Sequence, residues 1–544
     1  MSEFGQPGAS RRTYLSDVMT QPLLDSATHD HRYRDDVYAR ALDARDARFD
    51  GIFFVGIVTT RIYCRPVCPA RVSHQSHRRF FTSAAAAECA GFRPCLRCRP
   101  ELAPGRAMID AVPRLADAAA QRIAAGALNG RSVAALAREL GVSERHLRRA
   151  LERELGVSPV ELAQTHRLLL AKRLLADTAL SVTRIAYSSG FQSLRRFNAA
   201  FRAAYRMPPS SVRRPVIVRR TAQAMPETPA EFLWLTLAYR APLAWEVLLG
   251  LLARDAVSGV ELVQDRRYSR TVRIADRSGV ILVEDMIPVM NAAGRQDPVT
   301  HTHLRVGVSP SLVPALMPLL SRLRHVFDLD AEPTAIDAHL SNGGLAELVN
   351  RRPGLRIPGA MDGLDVALRI MLRGRAWPAA TRPPLRDVVW RVMSVLGEPI
   401  ETGLPELSWL APSAERVAEA GGDRLAALGV PRRRAEGAVA LARAIADGSV
   451  CLEPGSDPEV LRTALKDLTG AGDRLVSMIL MRTLNWPDAF PVSQPAVQRA
   501  AGVSSSHELR IRAESWRPWR AYAALHLWLY AQDIKASTAQ FPEP

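Results

Sequence analysis

Six cysteines occur in the 544 residues, and four of them stand as two close pairs. Cys64 and Cys68 lie in Y-C-R-P-V-C-P, Cys95 and Cys98 in R-P-C-L-R-C-R, with 26 residues between the pairs. Each pair delivers two sulfurs from one tight turn, the layout of a tetrahedral zinc site that closes a small domain around one Zn2+ ion. A thiolate is both a metal ligand and a nucleophile, so such a cluster is either a structural staple or a reactive centre. Cys89 and Cys451 stand alone, which argues against a disulfide framework.

The chain is 47% hydrophobic and too long for one core, so several domains are expected. No apolar run approaches the ~20 residues of a membrane span and the polar N-terminus is no signal peptide, so a cytoplasmic protein is expected, without a membrane partner. The net charge of +17 is unevenly spread. Residues 51–100 carry eight Arg against one acidic residue, and residues 104–215 carry 19 basic against eight acidic residues. Residues 216–544 are nearly balanced, with 38 against 36. An excess concentrated in the first 215 residues is the footprint of a grip on a phosphate backbone. Only three of the basic residues are lysines, so a solvated arginine-rich surface is the competing reading.

Periodicity divides the chain. Residues 1–34 are polar and aperiodic and read as a disordered tail. Residues 35–103 begin helical and turn strand-like at G-I-F-F-V-G-I-V-T-T-R-I-Y; residues 104–215 read as helices throughout. Proline punctuation around Pro215, Pro226 and Pro229 marks a boundary. Residues 228–345 mix strands (S-R-T-V-R-I-A-D, G-V-I-L-V-E-D) with helices such as Pro310–Leu323, and residues 346–540 are again helical. The predicted class is multidomain α+β: a zinc module, an all-α unit, an α+β platform and a second all-α unit.

Within 104–215, S-V-A-A-L-A-R-E-L-G-V-S-E-R-H-L-R-R-A-L-E-R-E-L-G has the apolar spacing of two short helices around Gly141, with Ser143 as N-cap of the second. Arg145, His146, Arg148 and Arg149 fall on its exposed face. S-V-T-R-I-A-Y-S-S-G-F-Q-S-L-R-R-F-N-A-A-F-R-A-A-Y repeats the design, presenting Gln192, Ser193, Arg195, Arg196 and Asn198. The helix A-Q-T-H-R-L-L-L-A-K-R-L-L joins the two. Double-stranded DNA is the expected partner. The I-A-x4-G-F-x-S-x3-F-x3-F pattern resembles the AraC-type DNA-binding domain over about residues 110–212, which implies that each second helix enters a major groove, one turn apart.

D-A-R-F-D-G-I-F-F-V-G-I-V-T-T-R-I-Y-C-R-P-V-C-P-A-R and F-F-T-S-A-A-A-A-E-C-A-G-F-R-P-C-L-R-C-R-P-E closely resemble the N-terminal domain of Ada-type alkylation-response proteins, over roughly residues 37–102. The resemblance implies that Cys64 accepts a methyl group from a methylphosphotriester in DNA while Cys68, Cys95 and Cys98 complete the metal site. It implies that Thr60, Arg71 and Arg93 contact the phosphate. Arg61 departs from the family, which usually has Gly there. Six arginines (Arg61, Arg65, Arg71, Arg93, Arg97 and Arg99) flank the cysteines, more positive charge than a structural knob needs. His74 and His77 lie between the pairs, but four sulfurs already fill a tetrahedron. Cys89 is expected to be packed in an alanine-rich helix.

In the second half, L-T-L-A-Y-R-A-P-L-A-W-E-V-L-L-G-L-L-A-R-D-A-V-S-G-V-E, G-L-R-I-P-G-A-M-D-G-L-D-V-A-L-R-I-M-L, L-T-G-A-G-D-R-L-V-S-M and W-R-P-W-R-A-Y-A-A-L-H-L-W resemble AlkA-type 3-methyladenine DNA glycosylases over about residues 230–535. The likeness implies a helix-hairpin-helix at Gly470 and Gly472, where backbone N–H groups meet a phosphate. It implies a base pocket at Met478 and Trp528, with Arg474 at a further position the family fills with an aromatic ring. Arg375 falls at a duplex-wedging position. The catalytic aspartate, which offsets the charge of the departing sugar, falls on Gln494 in Phe490-Pro491-Val492-Ser493-Gln494. Losing such a term typically costs ~100-fold or more. Asp488 reads as part of the ordinary loop pattern.

Together the resemblances imply a nucleoid-associated bacterial sensor of DNA alkylation. Cys64 is methylated once and irreversibly, promoter binding follows, and RNA polymerase is a partner. The glycosylase-like half is expected to be impaired or to bind damage only. Two alternatives stay open: an active 3-methyladenine-type glycosylase, and a transcription factor whose zinc is purely structural.

Overall fold

The computed structural model describes residues 31–71, 73–104, 114–213, 232–286, 302–373 and 388–540. Most of the expected tail and the wedge position Arg375 lie outside the described residues, and helix α1 (His31–Asp43) begins inside the span read as tail. A small sheet follows: β1 (Phe54–Ile57), β2 (Ile62–Cys64), β3 (Arg78–Phe81), helix α2 (Ala84–Cys89) and β4 (Arg93–Pro94). Its strand order is β3-β1-β2-β4, with only the β2–β4 pair parallel. Alternation along β2 sends Tyr63 into a cluster with Phe54, Phe81 and Phe92, and turns Cys64 to the opposite face, toward Ile62 and the other cysteines. Cys89 ends α2 exposed rather than packed.

The helical unit comprises α3 (Arg114–Ala124), α4 (Val133–Glu139), α5 (Glu144–Leu155), α6 (Pro159–Asp177), α7 (Val182–Ser188) and α8 (Leu194–Tyr205). Five consecutive helices start on a serine whose side chain accepts a backbone N–H: Ser132, Ser143, Ser158, Ser181 and Ser193. Each such cap is worth about 1 kcal/mol. Leu147, Leu151 and Leu155 on α5, and Phe197, Phe201 and Tyr205 on α8, recur at i, i+4 and are buried, leaving the arginine faces outside. The α7–α8 turn requires a glycine: Gly190 has φ +86°, and a Cβ there would lie 2.4 Å from the Asn129 side chain.

The platform is β5 (Leu233–Ala238), α9 (Trp245–Asp255), β6 (Glu261–Gln264), β7 (Arg267–Ile274), β8 (Arg277–Asp285), β9 (His303–Val308), α10 (Leu316–Val326), α11 (Pro333–Leu340) and α12 (Ala346–Arg351). Its five strands run in the order β5-β9-β8-β7-β6, antiparallel throughout. The segment expected as a helix from Pro310 is a 3-10 turn to Ala315 before α10 begins. Phe197 and Phe201 share one buried cluster with Leu237, Trp245 and Phe327, so the second helix-turn-helix and the platform have a common core.

The last unit contains α13 (Gly363–Arg373), α14 (Val388–Leu396), α15 (Ala414–Ala427), α16 (Arg432–Ala446), α17 (Pro458–Thr469), α18 (Asp473–Leu484), α19 (Pro495–Ala500), α20 (Ser506–Arg512) and α21 (Arg520–Gln540). It is not purely helical, since Glu398–Pro399 and Trp409–Leu410 pair as a two-stranded ribbon. Two buried ion pairs join it to the platform, Arg270 to Asp365 at 2.5 Å and Glu261 to Arg369. Among the described residues no helix is long and apolar enough to cross a membrane.

Candidate metal centre and DNA-facing surfaces

The Sγ atoms of Cys64, Cys68, Cys95 and Cys98 all lie within 4.8 Å of one another. Zinc–sulfur bonds of ~2.3 Å in a tetrahedron place sulfurs ~3.8 Å apart, so the four side chains fit one ion. Sulfurs this crowded cannot all ionise by themselves. Hydrogen bonding to Cys68 pushes the Cys64 thiol up, while hydrogen bonding to Cys64 pulls Cys95 down. A thiophilic divalent cation resolves that competition, because it favours every thiolate at once. The backbone N–H groups of Arg65 and Arg97 donate to Cys98 Sγ and Cys95 Sγ, each at 3.4 Å. Cys68, Cys95 and Cys98 are buried, whereas Cys64 is half-buried.

The flanking arginines divide into two groups. Arg65 donates its Nε to Asp50 at 2.8 Å and an Nη to the Cys98 carbonyl at 3.1 Å. Arg99 pairs with Asp177 at 2.7 Å and Glu101 at 3.1 Å, and Arg78 pairs with Asp43 at 2.9 Å. These three arginines hold the module together. Arg61, Arg71 and Arg97 are exposed and Arg93 is half-buried. Arg93 is the register partner of Ile62, which packs on the cysteine cluster. Arg61 has φ +55°, a left-handed conformation in which glycine is free of strain. Its guanidinium stacks 5.7 Å from the Phe92 ring centre, on the Tyr63 face and away from Cys64. Thr60 is exposed in the β1–β2 turn, its hydroxyl 3.5 Å from the Ile57 carbonyl. His74 and His77 are exposed and outside the sulfur set, with His74 capping a short turn through Ser76 N–H.

On α5, Arg145 and Arg149 are exposed, while Arg148 is tied to Glu144 at 2.6 Å on its own helix. On α8, Arg195 and Arg196 are exposed beside exposed Gln192. Ser193, expected on the DNA-facing surface, caps α8 by accepting from Arg196 N–H at 3.5 Å.

In the last unit, Gly470 ends α17 with φ +60° and Gly472 begins α18 with open space where a Cβ would stand. Met478 and Trp528 are 0% and 2% exposed and belong to the core, with the Arg254 guanidinium 5.5 Å from the Trp528 ring centre. Arg474 donates to Gln494 Oε1 at 3.5 Å, which brings the two side chains together at the start of α18 and α19. Asp488 is engaged by Arg520 at 2.6 and 2.8 Å. Sequence reasoning missed Lys172, Glu88 and Asp50, whose partners come from distant segments.

A four-sulfur metal centre, two serine-capped helix-turn-helix units and an α+β platform carrying a helical domain define a multidomain DNA-binding regulatory and repair protein. Family models match accordingly: the metal binding domain of Ada at residues 38–101, a helix-turn-helix domain at 136–215 and the AlkA N-terminal domain at 234–362. The chain is 35% identical over 495 residues to the probable bifunctional transcriptional activator/DNA repair enzyme AlkA of Mycobacterium tuberculosis, covering 90% of this chain and 95% of that one. The chain belongs to this family of bifunctional transcriptional activator/DNA repair enzymes. It is also 33% identical to DNA-3-methyladenine glycosylase 2 of Escherichia coli, over 54% of this chain and 96% of that one. The Escherichia coli bifunctional transcriptional activator/DNA repair enzyme Ada is 33% identical over 29% of this chain and 43% of its own length.

Proposed function

We propose that Cys64 irreversibly takes a methyl group from a methylphosphotriester in double-stranded DNA and that this transfer switches on promoter binding. The observation that carries the reading is that Cys64 is half-buried while the other three cysteines of the cluster are buried. A structural staple has no need of a ligand residue that reaches the surface. Cys64, Cys68, Cys95 and Cys98 would hold one Zn2+ ion, which would keep all four as thiolates at neutral pH and give the cluster a charge of −2.

Cys64 Sγ forms the new S–C bond as the methyl C–O bond breaks. The electron pair stays on the phosphate oxygen, which becomes an ordinary diester anion. The triester brings no net charge to repel the thiolate. Thr60, Arg71 and Arg93 hold the phosphate, and nothing in the chain reverses the thioether, so each molecule acts once.

The switch is electrostatic. Methylation takes the cluster from −2 to −1 beside the DNA backbone. One unit of charge a few Å from a phosphate is worth roughly 1–4 kcal/mol, depending on the effective dielectric. About 1.4 kcal/mol is tenfold in affinity. The exposed arginines of α5 and α8 then read the promoter in the major groove, and RNA polymerase is recruited there, in the cytoplasm on the nucleoid.

The glycosylase-like half binds DNA through the Gly470–Gly472 hairpin with little base excision. Neutral Gln494, hydrogen-bonded by cationic Arg474, adds no negative charge where an oxocarbenium ion would need it. The test is intact mass after incubation of the zinc-loaded protein with methylphosphotriester DNA. A gain of one methyl on the Cys64 peptide supports the proposal; an unaltered protein reduces the zinc site to structure.

A further inference from the structure

Only three of the 72 basic residues are lysines, and one of them, Lys172, is buried on α6. Its ammonium donates to the Cys95 carbonyl at 3.1 Å and to Glu101 Oε2 at 2.6 Å, with both side chains 2% exposed. Glu101 also receives Arg99 at 3.1 Å, and Arg99 reaches Asp177, the last residue of α6, at 2.7 Å. The second cysteine knuckle is thus bound at two points to the helix that joins the two helix-turn-helix units. A third tie lies two helical turns earlier on α6. There Thr165 donates to Glu88 at 2.7 Å, and Glu88 accepts from Tyr63 at 3.0 Å, next to Cys64 in β2.

Arginine does not substitute freely at position 172. A buried spot between one carbonyl and one carboxylate suits a compact ammonium, and a planar fork would need acceptors spread over a wider arc. The ammonium is also a buried cation hydrogen-bonded directly to the backbone of a metal ligand. When the cluster loses one negative charge, the attraction between the cluster and this ammonium falls while its pairing with Glu101 is unchanged. The balance of forces between the knuckle and α6 therefore depends on the state of Cys64.

We propose that Lys172 is a positioning residue that couples the methylation state of the metal centre to α6, and through α6 to the placement of both recognition helices. The coupling rests on the methyl-acceptor reading of Cys64, and it is a separate element from charge relief at the DNA. Charge relief acts between the cluster and the phosphate, whereas Lys172 faces the interior and touches no DNA-facing residue. Lys172 supplies no group to the transfer itself.

The experiment compares full-length wild type, Lys172→Met and Glu101→Gln, each zinc-loaded. Methyl uptake is read by intact mass, and affinity for a promoter fragment is read before and after methylation. Wild type is expected to gain about tenfold or more in promoter affinity on methylation. Lys172→Met is expected to take up one methyl as wild type does, with a gain at least about threefold smaller than that of wild type, the remainder being charge relief at the DNA. Glu101→Gln keeps the Lys172–Cys95 hydrogen bond and carries the test if Lys172→Met loses zinc; its gain is expected to differ from that of wild type by at least about threefold. A wild type that takes up no methyl refutes the methyl-acceptor reading itself. A wild type that switches, alongside folded variants that switch equally, overturns the role of Lys172.

Discussion

Asp50 holds Arg65, the residue that follows Cys64, by two charge-assisted hydrogen bonds, one of them Nε to Oδ1 at 2.8 Å. Arg65 in turn bonds the Cys98 carbonyl at 3.1 Å, so one guanidinium spans both cysteine pairs. The backbone carbonyl of Asp50 accepts from Arg240 of the platform at 3.2 Å. The metal centre is therefore braced from the far half of the chain as well as by α6.

Replacing Asp50 by Asn removes the charge partner of a largely buried arginine beside the ligands. Groups that orient metal ligands typically contribute 10–100-fold in affinity. Asp50→Asn is expected to bind zinc about tenfold or more weakly in a competition titration with a chelating dye. An affinity within twofold of wild type contradicts the bracing role.

Glu88 gives a pH signature. Burial pushes its carboxyl up from 4.5 to about 7, against the hydrogen bonds from Thr165 and Tyr63. Because the folded value lies above the unfolded one, this group's contribution is full below about 4.5 and is lost as pH rises through about 7. Subtracting Glu88→Gln from wild type in thermal melts between those limits should give a difference that declines with rising pH. A flat difference excludes the linkage, and the subtraction cancels proton competition at the cysteines, which both proteins share.

The α5 arginines should separate by their partners. Arg145→Ala and Arg149→Ala each remove an exposed cation and are expected to weaken promoter binding and reduce its salt slope by about one. Arg148 already spends its charge on Glu144, so Arg148→Ala is expected to change the slope less. Binding measured across a salt series distinguishes the three.

Gln494→Asp alone is expected to leave excision of 3-methyladenine and 7-methylguanine at background. Arg474 lies within hydrogen-bond reach and would neutralise the new carboxylate. Combining it with Arg474→Trp, which also restores an aromatic position, is expected to raise base release by at least about tenfold. Wild-type excision equal to that of an intact glycosylase defeats the impairment proposal outright.

The legible parts of this chain were those written in local spacing. C-x3-C with C-x2-C fixed the ligand set, and apolar i, i+4 recurrence with the Ser143 cap marked the helix-turn-helix units. What spacing could not convey is which side a residue serves. Arg61, Arg65 and Arg99 sit in the same basic run as Arg71 and Arg93, yet Arg65 and Arg99 are held by acids from outside the cysteine motifs, and Arg61 stacks on the face opposite Cys64. Lys172 was one polar residue on a largely buried helix, and its meaning depends on Cys95 and Glu101, 77 and 71 residues away. Met478 and Trp528, pocket positions by resemblance, are 0% and 2% exposed, a burial that spacing alone does not convey.

Phe197 and Phe201 of the second helix-turn-helix pack into the same interior as Leu237 and Trp245 of the platform. Deleting the C-terminal half would therefore strip one wall from the transcriptional unit and leave greasy side chains facing water.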